Sequence, residues 1–222
     1  MTDRRLALPT VVLSGLGLVA GAALGVLAWE LATRGPVGNA AVPEPAKLVD
    51  PARYVGLWYE IGRYENRFER GCEAVTAEYR ARDDGLIDVI NRACGGSVDG
   101  PPKSAIGRAR PMSGSGEAKL KVSFFGPFYI GDYWVLDHAD DYTWSIVGEP
   151  SGRYLWLLAR EPSPPQEVRE TLFGRAGELG YDVSLIRTTQ HAPAVRQRAR
   201  GIRRSTSLPS RPRASRGSVR RT

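Results

Sequence analysis

Few residues in this chain have types and spacing suited to chemistry. Asp137, His138, Asp140 and Asp141 fall within five positions, and carboxylates beside an imidazole could bind a metal or exchange protons. Between two alternating apolar runs, the same residues read more economically as a solvated turn. Glu60, Glu65, Glu69 and Glu73 add four carboxylates, but nothing in their spacing pairs two of them as acid and base. The only histidines are His138 and His191 and the only cysteines Cys72 and Cys94, too poor a set for the usual four-ligand zinc site. Neither histidine has a context that marks it as the base for a nucleophilic thiol. Ser113-Gly114-Ser115-Gly116 lacks the spacing of a nucleophile elbow and reads as a flexible turn. Gly15-Leu16-Gly17-Leu18-Val19-Ala20 fits a loose dinucleotide pattern, but it lies inside an apolar run with no strand before it. The sequence therefore points to no metal, no cofactor and no catalytic residue.

Binding is the better-supported alternative, and charge distribution narrows what is bound. The net charge is +7 over 222 residues, a value that at first suggests nucleic acid. Residues 191–222 carry ten arginines and no acid, so subtracting those ten from +7 leaves −3 for the rest. The tail holds no aromatic residues to stack on bases, which argues against nucleic acid. Its Ser, Pro and Gly content fits solvated disorder, and attraction to an anionic envelope surface is the second reading.

At the other end, Arg4 and Arg5 precede an uncharged run from Leu6 to Trp29. Its 24 residues exceed a secretory h-region and can cross a bilayer core of about 30 Å as a helix. The pair of arginines would stay cytoplasmic, sending the remainder to the extracytoplasmic, periplasmic side. A long signal peptide cut near Asn39-Ala40-Ala41 is the competing reading. No cysteine follows the run, so a lipid-modified cysteine anchor is not available there. Four parts result: an anchor or uncleaved signal at 1–33, a Pro/Gly-rich linker at 34–47, a domain at 48–190 and the tail at 191–222.

Within the domain the apolar pattern mostly has period two. Strands are expected at 54–64, 75–80, 86–91, 103–109, 118–124, 132–138, 142–148 and 154–160, with Asp84-Gly85 marking a hairpin. Ser163 and Gln166 resemble a capping box, and Val168, Leu172, Ala176 and Leu179 recur at helical spacing up to Gly180. A last strand is expected at 181–187. The fold class is all-β: an eight-stranded antiparallel up-and-down barrel with a C-terminal helix, preceded by an N-terminal transmembrane helix.

Local motifs sharpen this reading. Gly56-Leu57-Trp58-Tyr59-Glu60 matches the G-x-W-Y motif that opens the first lipocalin strand. Asp132-Tyr133 is similar to the T-D-Y motif, with Gly131 in place of Thr, and Arg160 stands where lipocalins set an arginine over the motif tryptophan. The chain over roughly 49–190 thus resembles the lipocalin family, and its strings NRFERGCEAVTAEYRARDDGLIDVINR and KVSFFGPF look like the bacterial lipocalin and apolipoprotein D branch.

The resemblance implies an eight-stranded barrel around one small ligand. With Trp58 inward and the family's register on the other strands, the lining comprises Val75, Ala77 and Tyr79; Ile87, Val89 and Asn91; Val122 and Phe124; Tyr133 and Val135; Trp144 and Ile146; and Tyr154, Trp156 and Leu158. Gly56, Trp58 and Arg160 are expected to be structural, sealing the base. If 83–85 turns as a hairpin, Cys72 falls opposite 94–96, so a Cys72–Cys94 disulfide is geometrically open, with two reduced thiols as the alternative. The resemblance implies a membrane-tethered module that binds a fatty acid or lysophospholipid for envelope lipid storage, transport or repair, and that is not an enzyme. The alternative is a lipocalin-fold enzyme acting on a bound hydrophobic substrate, which would need a carboxylate or histidine facing the lumen. A homodimer is compatible with this branch, though nothing in the sequence requires one.

Overall fold

The computed structural model describes residues 35–124 and 126–193. The apolar run and nearly all of the arginine tail lie outside them, and with them the anchor and the tail expectations. Among the described residues no helix is long and apolar enough to cross a membrane.

A one-turn helix α1 (Pro51–Tyr54), capped by the Asp50 side chain, leads into the barrel. The strands are β1 (Gly56–Tyr64), β2 (Cys72–Ala81), β3 (Ile87–Gly95), β4 (Pro102–Pro111), β5 (Lys119–Ser123), β6 (Gly131–His138), β7 (Trp144–Gly148) and β8 (Leu155–Ala159). Each pairs antiparallel with the next, and β8 returns to β1, so the sheet closes. Closure removes the hydrogen-bonding edges. The eight strands fall where the alternation predicts them, and Gly85 takes the left-handed backbone (φ +77°) in the β2–β3 turn.

After β8 comes α2 (Gln166–Glu178), then a 3₁₀ turn (Val183–Leu185) and β9 (Ile186–Thr188). The helix buries Leu172 and Ala176, with Val168 and Leu179 beside them, against the outer wall. It ends at Gly180, whose φ of +90° suits glycine at C′. The expected capping box is absent: Pro165 is the N-cap and makes no side-chain cap bond, so Ser163 stands two residues ahead of the cap. Gln166 instead bonds Glu170 (2.7 Å) along the helix.

Two apolar layers follow from this arrangement. The barrel interior holds Trp58, Tyr79, Val89, Ala109, Leu120, Val135, Val147 and Leu158. A second layer between barrel and helix holds Ile61, Leu136, Ile146, Leu155, Leu157, Leu172 and Ala176.

The strand β1 changes sides midway. Glu60 pairs with Leu158 and Gly62 with Leu157, so Ile61 is the extra residue of a bulge, as a glycine within a strand often signals. Beyond it β1 parts from β2 and pairs with β9 on that side, Gly62 facing Thr188. A Cβ on Gly62 would lie 2.9 Å from Ile186 Cγ2, so the close approach of β9 requires glycine.

The segment 35–47 is extended, as its prolines require, but it is no free linker. Asn39 is buried and donates to Leu179 O (2.9 Å), Gly38 N bonds Gly152 O (2.9 Å) and Ala46 N bonds Leu136 O (2.8 Å).

Candidate functional site

The cross-strand register fixes which side chains share the lumen, because directly paired residues lie on one face. Starting from Trp58 opposite Ala77, the inward set runs through Tyr79–Val89, Ala77–Asn91, Ala109–Val122, Leu120–Tyr133, Val135–Val147, Ser145–Leu158 and Val147–Trp156. Ala77, Tyr79, Val89, Asn91, Val122, Phe124, Tyr133, Val135 and Trp156 therefore stand where the sequence reading set them, as do Ile87 and Leu158. Gly107 faces inward and accepts the Phe124 ring; a Cβ there would come within 2.7 Å of it.

Four residues depart from the expected lining. Trp144 and Ile146 point outward into the helix-covered layer, and Ser145 and Val147 face the lumen instead. Because α2 covers the outer wall of β7, that strand is apolar on both faces, and alternation cannot choose between the two registers. Tyr154 precedes β8 and stacks on Trp156 (5.7 Å between centroids), which puts it at the rim. Val75 is buried but belongs to neither apolar layer, because a bulge between Glu73 and Thr76, with Ala74 at φ +51°, displaces this end of β2.

The closed end is built as the motif implies. Arg160 lies over the Trp58 ring (3.7 Å) and donates to Leu57 O (2.9 Å) and Arg53 O (2.7 Å), while Trp58 Nε1 donates to Tyr54 O (2.8 Å). Gly56 adopts φ +98°, and a Cβ there would sit 3.4 Å from Arg160 Nη1. Above this floor the hydroxyls of Tyr79, Tyr133, Tyr54 and Ser145 form a chain with spacings of 2.8, 3.1 and 3.1 Å. Ser145 Oγ reaches Asp137 O (3.5 Å), so each hydroxyl can donate to the next and the chain ends on a carbonyl. Burial pushes the Tyr54 phenol up to about 12 and raises those of Tyr79 and Tyr133 further. All three remain neutral donors at physiological pH.

Asp137 and His138 are structural rather than part of a solvated turn. Asp137 faces α2 and takes Arg175 (2.6 Å), and His138 stacks on Tyr142 (4.3 Å).

Sequence reasoning missed a charged group in the upper lumen. Past the β1 bulge, Arg63 pairs with Trp156 and faces inward, fully buried. It donates to Glu60 Oε1 (2.6 Å), Glu69 O (2.8 Å) and Cys72 O (3.2 Å), and Glu65 lies at 3.3 Å. Thr189, carried in by β9, bonds the same Glu60 oxygen, while Glu60 Oε2 has no protein partner. Burial, reinforced by the nearby Glu69 carboxylate, raises the Glu60 carboxyl well above the usual range; a proton on the bare oxygen fits that direction. Glu69 accepts from Trp156 Nε1 (2.9 Å) and Asn66 Nδ2 (2.7 Å). Asn91 Oδ1 is a further buried acceptor without a protein partner. Gly62 was the available signal, because a strand glycine that shifts register turns Arg63 inward.

Cys72 and Cys94 are unbonded. Cys72 pairs with Gly95 and Cys94 with Glu73, so the two side chains leave opposite faces of the sheet, which agrees with the alternative of two reduced thiols and not with the bond that the hairpin left open. Among the described residues no group of three or more His, Cys, Asp or Glu could hold a metal.

Comparison with known proteins agrees with this geometry. The family model of the lipocalin-like domain matches residues 49–191. The chain is 40% identical over 153 residues to the outer membrane lipoprotein Blc of Vibrio cholerae, covering 67% of this chain and 88% of that protein. Apolipoprotein D of Macaca fascicularis is 32% identical over 161 residues, 69% of this chain and 82% of that one. The fold is also that of insecticyanin from the tobacco hornworm Manduca sexta, at a TM-score of 0.57 and 18% identity over 72% of this chain and 89% of that one. The chain belongs to the lipocalin family, in the branch of the bacterial Blc proteins and apolipoprotein D.

Proposed function

We propose that this protein binds a single amphiphile of the fatty acid or lysophospholipid class in its barrel and carries or stores it at the cell envelope. The observation that supports this most is the gradation of the lumen. Aliphatic and aromatic walls run between a self-satisfied hydroxyl floor and an upper polar group of Glu60, Arg63, Glu69 and Trp156. Apolar walls supply affinity, and a few placed polar groups orient the ligand. Val122, Phe124, Tyr133 and Trp156 pack against the interior cluster yet stay only partly buried, as expected of a lumen wall rather than a packed core. The floor needs no ligand group to complete its hydrogen bonds, so the ligand's apolar tail points down and its polar head lies near Trp156 and Asn91.

The relatives named as outer membrane lipoproteins support an envelope location. The apolar run 6–29 would tether the barrel to the membrane on its extracytoplasmic side. Binding is favoured over catalysis because both carboxylates of the upper lumen are tied to neighbouring side chains, Glu60 Oε1 by Arg63 and Thr189 and Glu69 by Trp156 and Asn66.

Native mass spectrometry with organic extraction of co-purifying lipid, followed by titration of lysophospholipid and fatty acid against tryptophan fluorescence, tests this reading. A saturably bound lipid is expected, with at least tenfold weaker binding in Trp156→Ala and Tyr133→Ala. A folded protein indifferent to both amphiphile classes would overturn it.

A further inference from the structure

Eight strands joined by turns leave four connections at the open end: β1–β2, β3–β4, β5–β6 and β7–β8. Two of these, β1–β2 and β5–β6, are opposite one another across the mouth. They carry Phe68 (64% exposed), Phe128 (70%) and Ile130 (83%). Phe68 and Phe128 are the two phenylalanines exposed among the described residues. Large side chains held in water on loop tips gain nothing for the fold, and apolar groups in that position mark a contact surface.

Charge accompanies the apolar groups. Arg67 lies over the Phe68 ring (4.8 Å), Arg70 is exposed on the same loop, and Arg110 lies over Tyr129 (5.1 Å) beside Phe128. Apolar and aromatic side chains set among arginines are the composition of an interfacial membrane contact. The two acids of the β1–β2 loop are engaged within the protein, Glu65 by Arg63 and Arg187 (3.3 Å each) and Glu69 by Trp156 and Asn66; of the acids on the other two loops, Glu149 is held by Ser151 and Arg153 N within its own turn, and Asp99 lies between β3 and β4. Phe68 also stacks on Tyr154 (6.5 Å), which stacks on Trp156 (5.7 Å). An unbroken aromatic column therefore leads from the rim into the lumen.

We propose that the barrel docks mouth-down on an anionic lipid surface. Phe68, Phe128 and Ile130 enter the headgroup layer, and Arg67 and Arg70 meet lipid phosphates. The aromatic column then gives an amphiphile a continuous apolar path from bilayer to lumen. Docking concerns the outer rim and does not depend on which ligand the lumen holds.

The apolar run and the arginine tail could attract the full chain to vesicles by themselves, so the test must resolve position. An environment-sensitive fluorophore is attached to Ile130→Cys and, separately, to Ile106→Cys, which is exposed on the outer wall of β4 (71%). Both are made in full-length Cys94→Ser protein, where Cys72 stays buried. With vesicles of phosphatidylcholine and phosphatidylglycerol, the label at 130 should shift to the blue and be quenched by headgroup-level quenchers, and the label at 106 should not. Arg67→Glu with Arg70→Glu, both on the surface, should raise the lipid needed for the 130 signal about tenfold. Equal responses at 130 and 106, or none at 130, would overturn the proposal. So would a blue shift at 130 that follows protein concentration without vesicles, since a second copy would then cover the mouth. Lipid uptake followed by tryptophan fluorescence separates the two readings: uptake without the 130 signal refutes docking alone, and the signal without uptake refutes only the carrier.

Discussion

Replacing Glu60 by Gln tests the lumenal charge group most directly. If burial and Glu69 hold the Glu60 carboxyl above its ordinary range, the native state keeps a proton that the unfolded chain releases. The sign follows: the folded form binds more protons between the two titrations, so stability is highest at acid pH and falls as pH rises. One proton's difference is worth about 1.4 kcal/mol per pH unit, so wild type should lose on the order of 2–3 kcal/mol between pH 5 and 7 from this group. Gln is close in shape to a protonated Glu, and its carbonyl can still accept from Arg63 and Thr189. The variant should therefore match wild type at pH 5 within about 1 kcal/mol and be the more stable of the two at pH 7. Urea unfolding of both proteins at half-unit pH intervals measures this. A variant that is several kcal/mol weaker at every pH, with an unchanged slope, would refute the reasoning and make Glu60 the ionised partner of Arg63.

Other perturbations separate the structural from the lumenal residues. Arg160→Ala removes the cation over Trp58 and four hydrogen bonds to carbonyls of residues 53, 54, 57 and 142; a loss of about 2–3 kcal/mol is expected in denaturant unfolding. Trp144→Ala should cost about 2–3 kcal/mol and leave lipid affinity unchanged in fluorescence titration, because the side chain packs under α2. An affinity loss there would mean that β7 is read in the wrong register. Oxidised and reduced protein should melt at the same temperature by calorimetry, since Cys72 and Cys94 leave opposite faces.

The strands were legible because one face of each meets the lumen and the other meets water over most of the wall. Where that contrast disappears, so does the legibility. On β7 the outer face is covered by α2, both faces are apolar, and Ser145 is the inward residue because the floor needs its hydroxyl for Tyr54. The end of β2 shows the same limit: the Ala74 bulge lets Ala74 N bond Gln190 O, a partner more than a hundred residues away that no local window contains. The segment 35–47 reads as a linker by composition, and only the neighbouring Gly152 and Leu179 carbonyls turn it into part of the wall.

The lumenal ion group was hidden for a related reason. Strict alternation from Trp58 sends Glu60 inward and Arg63 outward, which splits the pair between core and solvent. The Ile61 bulge turns Arg63 in, and β9 then enters the gap between β1 and β2 with Thr189 as the third partner. An arginine that is fully buried and bound to carbonyls of both Glu69 and Cys72 ties the β1–β2 loop to the strand below it. That loop carries Phe68 outside and Glu69 inside, so Arg63 holds in register both the rim that would meet a membrane and the carboxylate that fixes Trp156. The same residue thus links a folding feature, the strand bulge, to the two surfaces on which ligand entry would depend.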